Sequence, residues 1–378
     1  MIPSFVAFLR RQPRWRIVFV GLVWIGLLEI LDWVAPLELS FLTFYVAPVL
    51  FLVWFAGVAA GFLGAAVCAA FWTWEDLLSA HAHPILTLHI TDWNLVLRAI
   101  FLAIFVWVVA ELKRALERER HAAQERLERD VEIAQEVQTR LFPRRDPDIP
   151  GLDCHGVCRP ARGVAGDYYD FLALDPGRAG IALGDVAGKG LPAALLMASL
   201  QGSLRSFASI HGDGPARLAQ DLNVQLHALT EINRFATFFW AVYEERGRSL
   251  TWVNAGHNAP MLLRASGSLE RLSASGPPLG AVAGSKYRQA TTRLEPGDLL
   301  VVFTDGVTEA AGAGEEEFGD ARLERVLREC GGLPARAVCS RILDAVRVFE
   351  DGRPQQDDVT LVIARSVADG AVPATRAS

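Results

Sequence analysis

Six aspartates fall where apolar runs begin or end. Asp167 and Asp170 lie in GVAGDYYDF, Asp185 follows IALG, Asp305 follows LLVVFT, and Asp357 and Asp358 stand just before VTLVIAR. Strand ends hold carboxylates rigidly, and the glycines beside several of them leave room for an ion and a substrate. Carboxylates that converge with no Lys or Arg as partner repel one another, and a pair of divalent cations relieves that repulsion. An all-oxygen donor set selects hard ions, Mg²⁺ or Mn²⁺, over Zn²⁺. One such aspartate is more often a turn residue. Four or more in one repeated pattern favour a metal site.

A second chemistry competes for part of this set. GDVAGKG, residues 184–190, joins an apolar run to a small-residue helical segment and carries a lysine, as a nucleotide-binding P-loop does. The spacing is one residue short, Gly190 stands where a Mg²⁺-binding hydroxyl belongs, and Asp185 opposes phosphate at the mouth of the turn. An anionic side chain there suits a cation better. Lys189 then reads as a surface or loop-packing residue. The five cysteines show no C-x-x-C pairing, and Cys154-His155-x-x-Cys158 lacks a second pair, so reduced, buried thiols are expected. A net charge of −6 gives no reason to expect a nucleic-acid partner.

The elements that position the aspartates follow from periodicity. Strands are expected over residues 168–174, 180–183, 235–243, 249–254, 261–264, 290–294, 298–303 and 359–365, and helices over 191–209, 215–231, 319–330 and 334–349. Strands outnumber clustered helices, which indicates an α+β domain of sheet packed on sheet with helices outside.

The first third of the chain is different. Apolar residues make up 51% of the sequence and concentrate there. Residues 15–36 are long enough to span a bilayer, 41–74 suit two spans with a turn at 54–61, and 93–112 make a fourth. Arginines at 10, 11, 14 and 16, and Lys113, Arg114 and Arg118, place both ends in the cytoplasm. The second external loop carries His81, His83 and His89 with Glu75, Asp76 and Asp92, and either senses metal or pH or is a solvated loop. Residues 111–143 are densely charged, with a heptad through Leu116, Arg120, Ala123, Leu127, Asp130, Ala134, Val137 and Leu141. A parallel dimeric coiled coil fits this, as does a single solvated helix. Pro143 ends it. The expected organisation is a cytoplasmic N-terminus (1–14), a transmembrane region of about four helices (15–112), a coiled-coil linker (113–142), a globular domain (143–366) and a disordered tail (367–378).

Taken in order, AQEVQTRLFP, PARGVAGDYYDF, GDVAGKGLPAALLMA, NAGHNAPMLL, GPPLGA, LEPGDLLVVFTDGVTEA and QQDDVTLVIA make the chain recognisable from about residue 131 to 365. It resembles the metal-dependent PPM (protein phosphatase 2C-like) serine/threonine phosphatases, in the bacterial branch typified by sporulation stage II protein E. The resemblance implies an α-β-β-α sandwich with two Mn²⁺ or Mg²⁺ ions at one edge. It implies that Asp185 bridges both ions with the carbonyl of Val186, that Asp305 and Asp357 hold one ion, and that Asp167 serves the other side. Asp185 and Asp305 are then the catalytic pair. The chemistry so implied is hydrolysis by an ion-activated water in line with the serine oxygen, with no phosphoenzyme expected.

Three features depart from the family or stay open. Ala165-Gly166 replaces a glycine pair, Ala187 stands where eukaryotic relatives have a histidine acid, and no phosphate-binding arginine is assigned, Arg159 and Arg162 being candidates only. His257 in NAGHN reads as structural. The implied partners are a phosphorylated regulatory protein, of the STAS-type anti-sigma-factor-antagonist class, a lipid bilayer, and a second copy through the coiled coil. The implied location is the bacterial inner membrane, multi-pass, with the catalytic domain cytoplasmic, and the helix from Leu191 is a candidate switch. A receptor whose phosphatase-like domain only binds a partner, and a nucleotide cyclase suggested by AGDYYDF, are the alternatives. The second leaves the later Asp motifs unexplained.

Overall fold

The computed structural model describes residues 5, 8, 9, 11–34, 42–80, 87–211, 214–229, 234–314 and 316–368. It divides into two compact units, Met1–Leu127 and Glu128–Ser378, with the boundary inside one helix rather than at the expected Pro143.

The first unit is helical: α1 (Arg14–Val34), α2 (Leu42–Phe55), α3 (Val58–Ala80) and the start of α4 (Thr87–Thr139). Ile25, Tyr45, Leu52, Cys68, Trp72, Leu102 and Val106 form its core. The Tyr45 hydroxyl donates to Glu29 in this core. Lys113 Nζ donates to the Trp54 carbonyl at 2.8 Å, which satisfies one of the orphan carbonyls at the end of α2. Much of the outer surface before residue 112 is also apolar, with Phe19, Leu27, Ile30, Phe62, Ile104 and Trp107 all exposed. Among the described residues one helix, Leu95–Thr139, is long and apolar enough to cross a membrane, and the other apolar segments that stand out are shorter. Among the described residues, four full-length spans are therefore not shown. The histidines at 81 and 83 lie outside the described residues, and so do positions 369–378 of the expected tail.

Helix α4 runs without interruption from its apolar half into its charged half. It stops at Thr139, four residues before Pro143, where Arg140 and Leu141 turn back onto the carbonyls of Val137 and Gln138. Leu141 packs against the core of the second unit, so this last heptad position is not free for a coiled-coil seam.

The second unit is an α-β-β-α sandwich. One sheet has the order β1-β10-β9-β6-β7, from Leu152–Arg159, Val359–Ser366, Leu299–Phe303, Met261–Leu263 and Leu269–Arg271. The other has the order β2-β3-β4-β5-β8, from Asp167–Ala173, Arg178–Val186, Ala236–Glu244, Ser249–Ala255 and Ala290–Arg293. Every ladder between these strands is antiparallel. Alternation along a strand sends neighbours to opposite faces. In β4, Phe239, Ala241 and Tyr243 enter the core between the sheets, while Phe238, Trp240 and Val242 enter the layer under helices α5 (Leu191–Ala208) and α6 (Pro215–Leu229). Helix α5 starts with Pro192 in its first turn, a favoured place for proline, and buries Ala193, Met197, Leu200 and Leu204 at helical spacing. A short α7 (Asp305–Thr308) follows β9. Helices α8 (Gly319–Glu329) and α9 (Ala335–Glu350) cover the other sheet through Leu323, Leu327, Val338, Ile342 and Val346.

Strand β1 and the three-residue β7 were not legible as strands. Gly156 interrupts β1, and a Cβ there would lie 2.3 Å from the Tyr169 ring, so close packing between the sheets takes precedence over strand propensity.

Candidate metal centre

The start of β2, the end of β3, the end of β9 and the start of β10 lie at one end of the sandwich, because antiparallel pairing brings them there. Asp167 and Asp185 are direct cross-strand partners. They continue the rows of Tyr169 on β2 and of Ile181 and Leu183 on β3, and both rows face the other sheet. Asp167 is buried, and its Oδ2 accepts a 2.8 Å hydrogen bond from Thr304 Oγ1. Thr304 Oγ1 in turn accepts from the backbone N–H of Thr360 at 3.0 Å. Thr304, which no motif singled out, thereby ties Asp167 on one sheet to β9 and β10 on the other. Asp305 follows it at the start of α7.

The two aspartates before β10 have different tasks. Asp358 is a clamp: its Oδ1 accepts from Ala161 N at 2.8 Å and its Oδ2 from Gly166 N at 2.7 Å, which pins the loop that delivers Asp167. Asp357 Oδ1 accepts from Asp358 N at 2.9 Å, and its Oδ2 lies 2.6 Å from Lys189 Nζ. Lys189, a surface residue as expected, is thus also an ion-pair partner of a candidate ligand, which corrects the expectation of carboxylates without a basic partner.

Asp170 does not join the group. It sits on the opposite face of β2, fully buried, where the Tyr168 hydroxyl and the Arg205 guanidinium of α5 bond it. Arg159 and Arg162 are exposed, in β1 and the loop after it, and neither is ion-paired to one of the aspartates. His257 is buried. It shares a 2.7 Å hydrogen bond with Thr237 Oγ1, and its backbone N–H donates to Asn254 Oδ1 at 2.7 Å.

Electrostatics set the group apart. Burial, and then the charges of Asp305, Asp357 and Asp358, push the Asp185 carboxyl up to about 7, against a hydrogen bond with Asp167. Burial and then Asp185 push Asp167 well above the carboxylate range, and burial and then Asp357 raise Asp305. Burial and then the charges of Asp305, Glu317 and Asp357 raise Glu309, one turn beyond Asp305, and its side chain is a further carboxylate that sequence reasoning missed. Such mutual repulsion among oxygen donors is relieved by a hard divalent cation. Among the described residues no three His, Cys, Asp or Glu side chains converge closely enough to hold an ion as they stand. The donor set nonetheless fits one: the carboxylates are acceptors only, and a cationic ammonium already rests on Asp357.

Cysteine chemistry is not offered. Burial raises the thiols of Cys154 and Cys158 and pushes Cys339 up to about 12, so none is a ready thiolate.

The family profile of stage II sporulation protein E (SpoIIE) matches residues 175–367. Protein IcfG of Synechocystis sp. is 28% identical over 290 residues, 68% of this chain and 44% of its own length. Phosphoserine phosphatase RsbU of Bacillus subtilis is 31% identical over 244 residues, 64% of this chain and 71% of its own. Among solved structures, the SiaA-PP2C domain of Pseudomonas aeruginosa superposes with a TM-score of 0.59 at 20% identity, over 65% of this chain and 98% of that one, a likeness of fold. The chain spans less than half of the length of IcfG.

Proposed function

The chain belongs to the stage II sporulation protein E (SpoIIE) family, and from that premise we propose that its second unit is a metal-dependent protein serine/threonine phosphatase. The observation that carries this reading is the set of aspartates delivered by separate strand ends to one end of the sandwich, with Asp185 raised to about 7 by burial and then by its neighbours' charges. RsbU, its 31% identical relative, is a phosphoserine phosphatase by name.

Asp185 and the Val186 carbonyl, Asp167, Asp305 and Asp357 are the residues that would hold two Mn²⁺ or Mg²⁺ ions. When bound, such ions supply an acidified water and positive charge for the phosphoryl oxygens. The chain's part is to position. The β2–β3 ladder fixes Asp167 against Asp185, Thr304 orients Asp167, and Asp358 holds the loop before it. Ala187 offers no proton, so the leaving serine oxygen takes one from solvent. The substrate we assign is a phosphoserine or phosphothreonine on a STAS-type anti-sigma-factor antagonist.

We place the first unit in a membrane, because an exterior of Phe, Leu, Ile and Trp side chains is a poor surface in water and a good one in lipid. Helix α4 is its longest apolar element and leads directly into the phosphatase. Leu127 and Val137, both heptad positions, are exposed on α4, which supports pairing with a second copy.

Phosphate release from a phosphoserine protein by the full-length chain tests the function. Release that requires Mn²⁺ or Mg²⁺ and disappears in Asp185→Ala is expected. A wild-type chain that binds the phosphoprotein but never turns it over would instead make this domain a receptor.

A further inference from the structure

Both oxygens of Asp357 are already occupied. Oδ1 accepts the backbone N–H of Asp358 at 2.9 Å, and Oδ2 lies 2.6 Å from Lys189 Nζ, which also donates to the Gln356 carbonyl at 3.1 Å. Each oxygen keeps a second lone pair, but a metal ion that takes one meets the positive charge of the ammonium at Oδ2, and that repulsion favours the lysine's release. The ammonium is free to leave. It is half-exposed, so it is rehydrated on leaving, and a lysine makes single exchangeable contacts where an arginine would make a rigid fork.

The turn that carries Lys189 is built to let it go. Gly188 and Gly190, on either side, have φ of 111° and 74°, in the left-handed region that favours glycine. A Cβ at either glycine would meet nothing within 4 Å, so the turn is not wedged in place by neighbours. Burial and then Asp357 raise the carboxyl of Asp305, a second candidate ligand, and the lysine's charge acts against that rise.

We propose that Lys189 is a tethered cation that competes with the divalent metal for Asp357, so that metal loading proceeds by displacement of its ammonium. The proposal rests on the metal-centre reading above and adds to it a residue that sets metal affinity from outside the ligand set. Lys189 is accordingly a positioning residue: it holds Asp357 in place until an ion takes over.

Calorimetric titration of the full-length chain with Mn²⁺ tests this, with wild type, Lys189→Met and Lys189→Arg compared. Removing a unit charge that sits on a ligand strengthens attraction for a doubly charged ion, so Lys189→Met should bind Mn²⁺ about ten-fold more tightly. Lys189→Arg, which keeps the charge, should bind within about three-fold of wild type. Thermal unfolding in EDTA identifies any variant that fails to fold, and Lys189→Gln then replaces it. Equal or weaker Mn²⁺ binding by a folded, uncharged variant overturns the proposal and leaves the metal centre standing. A wild-type chain that takes up no Mn²⁺ overturns both.

Discussion

Replacing Asp358 by alanine removes a charged acceptor from two backbone N–H groups, at Ala161 and Gly166. Charge-assisted bonds of this kind are worth more than neutral ones, so a loss of about 2 kcal/mol in denaturant-derived stability is expected. Mn²⁺ affinity should fall with it, because Asp167 follows the released loop. His257 supplies a pH dependence. Burial lowers its basicity from 6.5 to about 4, with the backbone at Phe303 acting the other way, so the folded protein keeps the ring neutral. Between those values the unfolded chain binds the additional proton. The stabilisation is complete above about pH 6.5 and is lost as pH falls toward 4, about 3 kcal/mol in all. Denaturant midpoints at pH 7 and pH 5 should drop less for His257→Gln than for wild type, and equal slopes would contradict this. The aspartates themselves were legible because each abuts an apolar run that becomes a strand. Their division of labour was not. Asp357 and Asp358 are adjacent in sequence, and only the fold shows that one pairs with Lys189 and the other clamps a loop.

At the scale of elements, the end of α4 is joined to the site by a reciprocal pair of bonds. Gln138 Nε2 donates to Ala165 O at 2.7 Å, and Ala165 N donates to Gln138 Oε1 at 2.8 Å, two residues before Asp167. Gln201 of α5 donates to Leu141 O at 2.9 Å just beyond the helix end. The Gln138→Ala variant leaves a buried N–H and a buried carbonyl unpaired. A destabilisation of about 2 kcal/mol is expected in urea unfolding. Helix α5 has its own anchor in the Arg205–Asp170 pair. With the guanidinium half in water the pair is worth less than a fully buried one, yet Arg205→Met strands a fully buried carboxylate, so a loss of about 2 kcal/mol is expected by thermal unfolding. The order of strands and helices was readable from period-2 and period-3.6 patterns. The ends of α4 were not, because the switch from apolar to charged residues marks a change of surroundings and not a change of backbone. Its stop at Thr139 is set by packing of Leu141 and Phe142 onto the second unit.

At the scale of the whole molecule, an apolar helical unit and a polar enzyme-like sandwich share one continuous helix. The full-length chain should sediment with membranes and resist extraction by high salt and alkaline carbonate. Recovery in the soluble fraction would contradict the membrane placement. Composition revealed the apolar third, but hydropathy cannot separate a full span from a shorter apolar helix packed against others; four spans were expected, and among the described residues one long apolar helix stands out. Aspartates from four strand ends would hold two cations between them. Equilibrium dialysis of the full-length chain against Mn²⁺ measures this without intermediary, as ions bound per chain for wild type beside Asp185→Asn. Two ions are expected for wild type and the loss of both in the variant, since Asp185 would serve both. Unchanged Mn²⁺ stoichiometry in a folded Asp185→Asn chain would contradict it.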